Sequence, residues 1–465
     1  MSTHYNFHNL VNPIHTKSKE ESISIKQLLN IEIEIEPEQD FAPNYLKWSR
    51  DQGIISTSMN TPDLVCFSHL RWDFVYQRPQ HLLSRCAQTR RVFFVEEPLM
   101  SLDSSYGLGT SQRECGVWVV VPRLPEGLSE KDAIAIQRKL LNTLLTEAQI
   151  QAPILWYYTP MAVPFTYHLN ASAIVYDCMD ELSAFKGAHP ELQAREAHLF
   201  NLADLVFTGG RSLYEAKQHQ HSAVHAFPSS IDAAHFAQAR ELSEEAADQA
   251  LIPHPRLGFY GVVDERMDLA LLDGVAQARP DWHFVIIGPV VKIDPATLPD
   301  RPNIHYLGSK SYQELPQYLA GWDVALLPFA RNDSTRFISP TKTPEYLAAG
   351  KPVVSTSIRD VVRPYGEENL VQIADTVSEF VDAITTALDQ NSTNSEWLPR
   401  VDVFLSQTSW DLTWQAMESL IDHAIAVKSS GLLETAQLKQ PAKPVRSTRS
   451  KRPVSINTNV SQSAS

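Results

Sequence analysis

The chain is poor in cysteine, short of basic charge and free of long apolar runs, and each shortage excludes something. Four of its 465 residues are cysteines: Cys66, Cys86, Cys115 and Cys178. No two stand as C-x-x-C, so neither a zinc knuckle nor a redox pair is written here. Cys66 and Cys178 lie in strand-like apolar runs, where a thiol is a small core residue. A reducing, cytoplasmic setting follows. The first residues carry no basic n-region and no apolar h-region, which predicts no signal peptide. No stretch approaches the roughly 18 apolar residues of a membrane helix. The expectation is a cytoplasmic protein that could still touch the inner membrane face peripherally. Against 54 acidic side chains stand 40 basic ones, a net charge of −14. That balance argues against nucleic acid as a partner, because duplex binding needs a strongly basic surface. No G-x-G-x-x-G follows a strand, which excludes the usual dinucleotide-binding oxidoreductase.

What is present is a repeated strand–helix grammar too long for one core, since single cores stop growing near roughly 250–300 residues. Residues 1–60 read as a polar N-terminal extension. Within them Ile31–Glu36 alternates with period two, as a short half-buried edge strand would. From Asp63 the pattern alternates. Apolar strands at 63–67, 91–95, 117–121, 154–158, 173–176 and 205–208 are separated by helices at 79–87, 131–148 and 191–202. A second series begins near Arg256, with strands at 257–260, 284–287, 304–307, 324–327 and 353–356. Its helices fall at 269–278, 312–320, 345–349 and 377–388. Near-continuous apolar strands between helices mean parallel sheets covered on both faces. The expected architecture is α/β, two facing doubly wound sheets with a cleft between them. The expected domains are 61–240 and 250–405, joined by an Ala-, Glu- and Gln-rich linker around 237–255. A helix at 406–428 then crosses back to the first domain. Residues 429–465, with Lys439, Lys443, Arg446, Arg449, Lys451 and Arg452 against Glu434, read as a disordered basic tail.

Four strands of the second series end in Gly261, Gly288, Gly308 and Pro328. The chain turns sharply there, at the sheet edge where α/β proteins bind ligands. The most informative run is Ser339-Pro-Thr-Lys-Thr-Pro-Glu-Tyr-Leu-Ala-Ala-Gly-Lys-Pro-Val-Val354. It reads as a loop, a short helix with Thr343 as N-cap and Pro344 in its first turn, a glycine stop and a buried strand. A helix start offers free N–H groups to anions. Lys342 adds a full charge there, and Glu345 could accept from sugar hydroxyls. In the first half, the loop 68–80 concentrates His69, Arg71, Asp73 and Arg78 at a strand's carboxyl end, a plausible cleft wall. Trp72, Phe74 and Tyr76 could stack on a sugar or simply pack the loop. The 177–181 loop brings Asp180, and Glu181 beside it. Glu96 and Glu97 are weaker candidates.

These motifs resemble the donor-site signature of family 4 glycosyltransferases of the two-domain GT-B fold. Asp323–Phe329 and Asn303–Gly308 resemble the strands that precede that signature. Ser68–Phe74, Gln77–Leu82, Tyr176–Leu182 and Gly261–Asp268 are similar to a bacterial subgroup, the teichuronic-acid-type transferases. The resemblance implies transfer of a sugar from a nucleotide-sugar donor to a saccharide or lipid-linked acceptor. It implies retention, no metal, no cofactor beyond the donor itself, and a role in cell-surface polysaccharide synthesis. Glu345 falls where the family holds the donor ribose, and Arg266 where a basic residue meets the diphosphate. Lys342 with Ser339–Thr341 would also face phosphate. Gly261 and Gly308 would line the donor site, and Tyr312 would lie near the base. His69, Arg71, Asp73, Arg78 and Asp180 fall on the acceptor side. The family's first glutamate is replaced by Phe337, with Arg336, Asp333 or Ser339 as candidate substitutes, and its basic residue after the first C-domain strand by Val262 and Val263. A nucleotide-sugar epimerase of the same fold and a non-catalytic homologue stay open as alternatives.

Overall fold

The computed structural model describes residues 61–393 and 396–438. The expected N-terminal extension with its Ile31–Glu36 strand, and the basic residues from Lys439 onward, lie outside them. The described residues form two sheets, one of nine strands and one of six.

The first sheet is built on β1 (Leu64–Ser68), wholly buried. Alternate side chains of a strand leave on opposite faces. Val65 and Phe67 join one core with Leu141 and Leu144 of α2 (Glu130–Glu147). Leu64 and Cys66 join another with Leu82 and Leu83 of α1 (Arg78–Cys86). That two-sided burial is why the strand reads as unbroken apolar sequence. On one flank lie β2 (Val92–Glu96), β5 (Trp118–Pro125) and β3 (Leu99–Ser101). On the other lie β6 (Ile154–Tyr157), β7 (Ala173–Cys178), β8 (Leu205–Thr208) and β9 (Val224–Ala226). All pair in parallel except β4 (Gly107–Gln112), which runs antiparallel to β5. Its Gly-Leu-Gly-Thr-Ser-Gln sequence has no strand pattern. It is held at the edge by its neighbour's backbone rather than by its own apolar face.

The second sheet is all parallel. Its order is β12 (Ile304–Tyr306), β11 (His283–Ile287), β10 (Arg256–Tyr260), β13 (Val324–Leu327), β14 (Val353–Ser355) and β15 (Gln372–Ile373). One core serves it on both faces.

The chain changes halves earlier than the sequence suggests. Ile231, Phe236, Ala239, Ala246 and Ile252 are buried in the second core. Gln249 is buried too, donating to the Tyr318 carbonyl at 2.9 Å and accepting from the Trp322 indole at 3.2 Å. The Ala-, Glu- and Gln-rich stretch is therefore the outer packing layer of the second half, not a linker. The crossing is the short segment after Ala226. The return crossing follows α12 (Trp397–Leu405), whose Val401 and Leu405 still belong to the second core. The last helix, α13 (Trp410–Leu438), lays Trp410, Trp414, Met417 and Ile421 on the first. It also runs ten residues into the segment expected to be a disordered tail; Leu432, Leu433 and Ala436 there are good helix formers. The two crossings touch: the Trp410 N–H donates to the Ile231 carbonyl at 3.2 Å, and the Ser230 and Thr408 hydroxyls lie 2.9 Å apart.

Away from the crossings, the halves meet again near α5 (Arg211–Lys217). The buried Asp360 carboxylate accepts from the Ser212 N–H at 3.0 Å. Ser229 donates to the Ser339 carbonyl at 2.6 Å. No helix among the described residues is long and apolar enough to cross a membrane.

Candidate active site

A cavity of about 890 Å³ lies where the carboxyl ends of the two sheets face each other. The loops after β1, β2 and β7 form one wall. The loops after β10, β11 and β12, with the start of α9 (Lys342–Ala348), form the other.

The second wall is shaped by two glycines. Gly261 has φ +135°, and a side chain there would sit 2.3 Å from Lys342 Cε. Gly288 has φ +136°, and a side chain there would strike the Gly261 carbonyl at 2.0 Å. Both turns therefore need glycine. The bare backbone lets the Lys342 stem cross directly over the end of β10. Burial pushes its ammonium down to about 8, against the opposing pull of Glu345. One turn along, Glu345 is 6% exposed and accepts from the Tyr260 hydroxyl. Desolvation raises its carboxyl to about 7, opposed by that bond and by Lys342. A cation and a carboxylate, both held near their own midpoints, thus stand side by side on the cavity floor.

The helix beginning differs from the expected one. The N-cap position is Thr341, without a side-chain bond, and α9 has only seven residues. Thr343 is buried inside the first turn with its hydroxyl unpartnered, and Pro344 occupies the third position, where the N–H it lacks has no helical partner anyway. Positive charge at this end therefore comes from side chains rather than from a long helix dipole. Arg266 contributes, but its guanidinium is already bound by Asp264, Nε to Oδ1 at 2.9 Å and Nη2 to Oδ2 at 2.8 Å. Its other neighbour is across the cleft, the Phe185 ring at 5.7 Å. Lys292, beyond Gly288, lies 5.3 Å from the same ring and lines the cavity. Sequence reasoning passed over it, because nothing in Pro289-Val290-Val291-Lys292 says that this loop faces the other domain.

Tyr312 lines the cavity but offers no open face for a base. Tyr76 stacks on one side of the ring at 4.4 Å and His235 on the other at 4.2 Å. Gly308 has φ +70° and its carbonyl accepts from the Gly288 N–H at 2.8 Å; it shapes the turn from behind the cavity wall. Thr341 is in the wall, whereas Ser339 is outside it and forms the domain contact described above. Asp333, Arg336 and Phe337 are also outside. Phe337 packs against the core of the first domain, so the residue in the place of the family's glutamate is an interdomain packing group.

On the first wall, Arg71 donates to Glu96 Oε2 at 2.8 Å and to the Glu97 carbonyl at 2.6 Å. Glu96 Oε1 accepts from the Trp72 N–H at 2.8 Å. These bonds lock the loop after β1 to the end of β2. Trp72 is core, edge-on to Phe94, so it packs its loop and does not stack on a ligand. His69 lines the cavity with Nδ1 unpartnered, and burial with Lys292 nearby lowers its ring to about 4. Burial raises Glu97 to about 7 and Asp180 to about 6, each opposed by neighbouring cations. Asp73 reaches only the rim and is exposed, paired with Arg113 at 2.9 Å. Arg78 is not in the wall. It is 4% exposed and grips Asp177 through Nε and Nη2, with Nη1 on the Phe227 carbonyl at 2.8 Å. It braces β7 under the site, contrary to an acceptor-side role. Glu181 pairs with Lys217 at 2.7 Å, which leaves Asp180 to face the cavity from that loop.

Comparison with known proteins bears on the fold and the class of activity. Residues 254–390 match the family model for glycosyl transferases group 1. The chain is 24% identical over 259 residues to TuaH of Bacillus subtilis, a protein assigned by its name to teichuronic acid biosynthesis as a glycosyltransferase. That match covers 51% of this chain and 64% of the relative's length. Among solved structures, sucrose-phosphate synthase from Thermosynechococcus elongatus has a TM-score of 0.60 at 12% identity, covering 79% of this chain and all of that one. A UDP-forming trehalose-phosphate synthase from Burkholderia xenovorans has a TM-score of 0.59 at 12% identity, over 78% and 99% of the two chains. At that identity the likeness shows the fold. The chain has the GT-B fold and carries a group 1 glycosyltransferase domain.

Proposed function

We propose that this protein transfers a sugar from a nucleotide-sugar donor to a saccharide or lipid-linked acceptor, with retention, in cell-surface polysaccharide synthesis. The observation that carries the reading is the Gly261–Lys342–Glu345 arrangement at the end of β10, inside a cavity closed by two domains. Lys342 reaches over bare backbone, where an anionic group can approach both the ammonium and peptide N–H groups. Glu345 can accept from the two hydroxyls of a ribose. Lys342 and Arg266 then neutralise the charge that grows on the leaving diphosphate, preorganised and out of bulk water. The reading calls on no metal, because these side chains supply the positive charge. The bond from the anomeric carbon to the donor phosphate oxygen breaks while the acceptor oxygen bonds on the same face. The acceptor proton passes to the departing phosphate oxygen. Asp180, Glu97 and His69, on the opposite wall, orient the acceptor hydroxyl.

Thermal unfolding with a panel of nucleoside diphosphates and their sugar conjugates tests this, since a ligand of the native state raises its melting temperature. The expected result is stabilisation by one base family, lost in Glu345→Ala. Stabilisation by none would overturn the donor site. Turnover of the donor to an epimer without any acceptor would assign the chain to isomerase chemistry instead.

A further inference from the structure

The cavity continues into the first domain between α2, α3 (Val163–Thr166) and α4 (Leu192–Leu202), and its character changes there. Its walls are Met100, Leu124, Ile134, Met161, Phe165 and Leu192. The polar side chains at this end are held by one another and by the backbone. Arg195 is bound to both Glu130 and Glu191 and also touches Met161 Sδ at 3.7 Å. Gln137 donates to the Ala133 carbonyl at 3.3 Å, and Thr159 accepts from the Met161 N–H at 3.2 Å. A glycan pushed into this arm would face mostly apolar side chains, and each hydroxyl left unpaired there would carry a cost. A hydrocarbon would lose nothing and bury apolar surface, and two methionines give the arm a wall that adapts to an irregular chain.

The surface beside the arm has matching chemistry. The α2 helix lines the arm with Ala133, Ile134 and Gln137. Its next residues, Arg138 and Lys139, lie over the rings of Tyr167 and Tyr106 at 4.8 and 5.3 Å. Tyr167 is 55% exposed, and Leu102, close in sequence to Met100, is 92% exposed. Exposed aromatic rings paired with long cationic stems, and a bare leucine two residues from an arm-lining methionine, suit the interface of a lipid layer. We infer that the acceptor is lipid-linked: its hydrocarbon chain occupies the Met100–Ile134–Met161–Phe165 arm, entering past Leu102 and Tyr167, and so presents its polar head to Asp180, Glu97 and the donor. This rests on the glycosyltransferase reading and narrows its acceptor.

The test uses the full chain and farnesyl phosphate, kept below its micelle threshold, with inorganic phosphate as control and the preferred nucleoside diphosphate titrated in parallel. Saturable binding of farnesyl phosphate but not of phosphate is expected. Ile134→Asp should weaken it roughly a hundredfold, the scale of a carboxylate set against hydrocarbon. Ala133→Trp, which fills the arm without adding charge, should abolish it. Both variants should keep nucleotide affinity, which also reports that they are folded. Nucleotide binding without farnesyl phosphate binding, or equal farnesyl phosphate binding by the variants, overturns the inference and leaves the transferase reading standing. Farnesyl phosphate binding without nucleotide binding would overturn the transferase reading, and with it the assignment of the bound lipid as an acceptor. Preference for a nitrophenyl glycoside over farnesyl phosphate would overturn it in favour of an aromatic acceptor.

Discussion

On the C-terminal wall, side chains with displaced ionisation crowd one strand end: Lys342 near 8, Glu345 near 7, and Arg266 clamped to Asp264. On the N-terminal wall, Glu97 and Asp180 form one charged band, and beyond it methionine, leucine and phenylalanine line the cavity beside charges that are already paired, Arg195 with Glu130 and Glu191. On the proposed function, the C-terminal wall recognises by charge that is costly to bury and useful only when a ligand completes it. On the lipid-acceptor inference, the N-terminal wall recognises by shape and apolar contact. One wall should therefore respond to pH and to single charge deletions, and the other to bulk.

The sharpest separation of the walls comes from a residue that belongs to neither. Arg78→Ala strands the buried Asp177 carboxylate and should cost about 3–5 kcal/mol in denaturant unfolding. The protein that remains folded should bind nucleotide as before, whereas an acceptor-side arginine would alter acceptor kinetics with little loss of stability. Lys342→Met should weaken nucleoside diphosphate binding by about 1.5–3 kcal/mol, roughly ten- to a hundredfold, read by calorimetry. Farnesyl phosphate binding should not change; a parallel loss would mean that the walls are not independent.

The pH dependence of nucleotide affinity comes next in size. Hydroxyl donors favour the ionised Glu345, so affinity should fall about tenfold per unit as pH drops below 7. Phosphate favours charged Lys342, so affinity should fall again above 8. Glu345→Gln should erase the acid limb and spare the alkaline one. Smallest is Tyr76→Leu. It uncovers one face of Tyr312 by removing a ring contact worth about 0.5–1.5 kcal/mol, and nucleotide affinity should tighten a fewfold by the fraction of binding-competent protein gained. Unchanged affinity would show that the base does not use that ring.

Much of the fold was legible because both sheets are doubly covered. A strand buried on two faces, such as Leu64–Ser68, cannot be mistaken for surface, and glycine at the ends of β10 and β11 marked the ligand edge. Elements held by neighbours rather than by their own pattern were not legible, β4 above all. The domain boundary was misjudged because polar composition between 237 and 255 conceals Phe236, Ala239 and Ile252, whose burial needs the second sheet to exist first. The same reason governs the site. Lys342 and Glu345 lie three residues apart at one helix start and could be read together, and Gly261 was marked separately as a strand end. The pairing of Tyr76 with Tyr312, the approach of Phe185 to Arg266 and Lys292, and the withdrawal of Arg78 into β7's support all depend on how two domains face each other. No local spacing encodes that.

The chain passes between the domains twice, and the passages are bonded to each other through Trp410 and Ile231 and through Ser230 and Thr408. A single tether lets two bodies swivel in any direction. A doubled one acts as a book's spine that fixes the axis, and the Ser212–Asp360 and Ser229–Ser339 bonds hold the halves at a second place. Tied in this way, each wall keeps a high effective concentration toward the other.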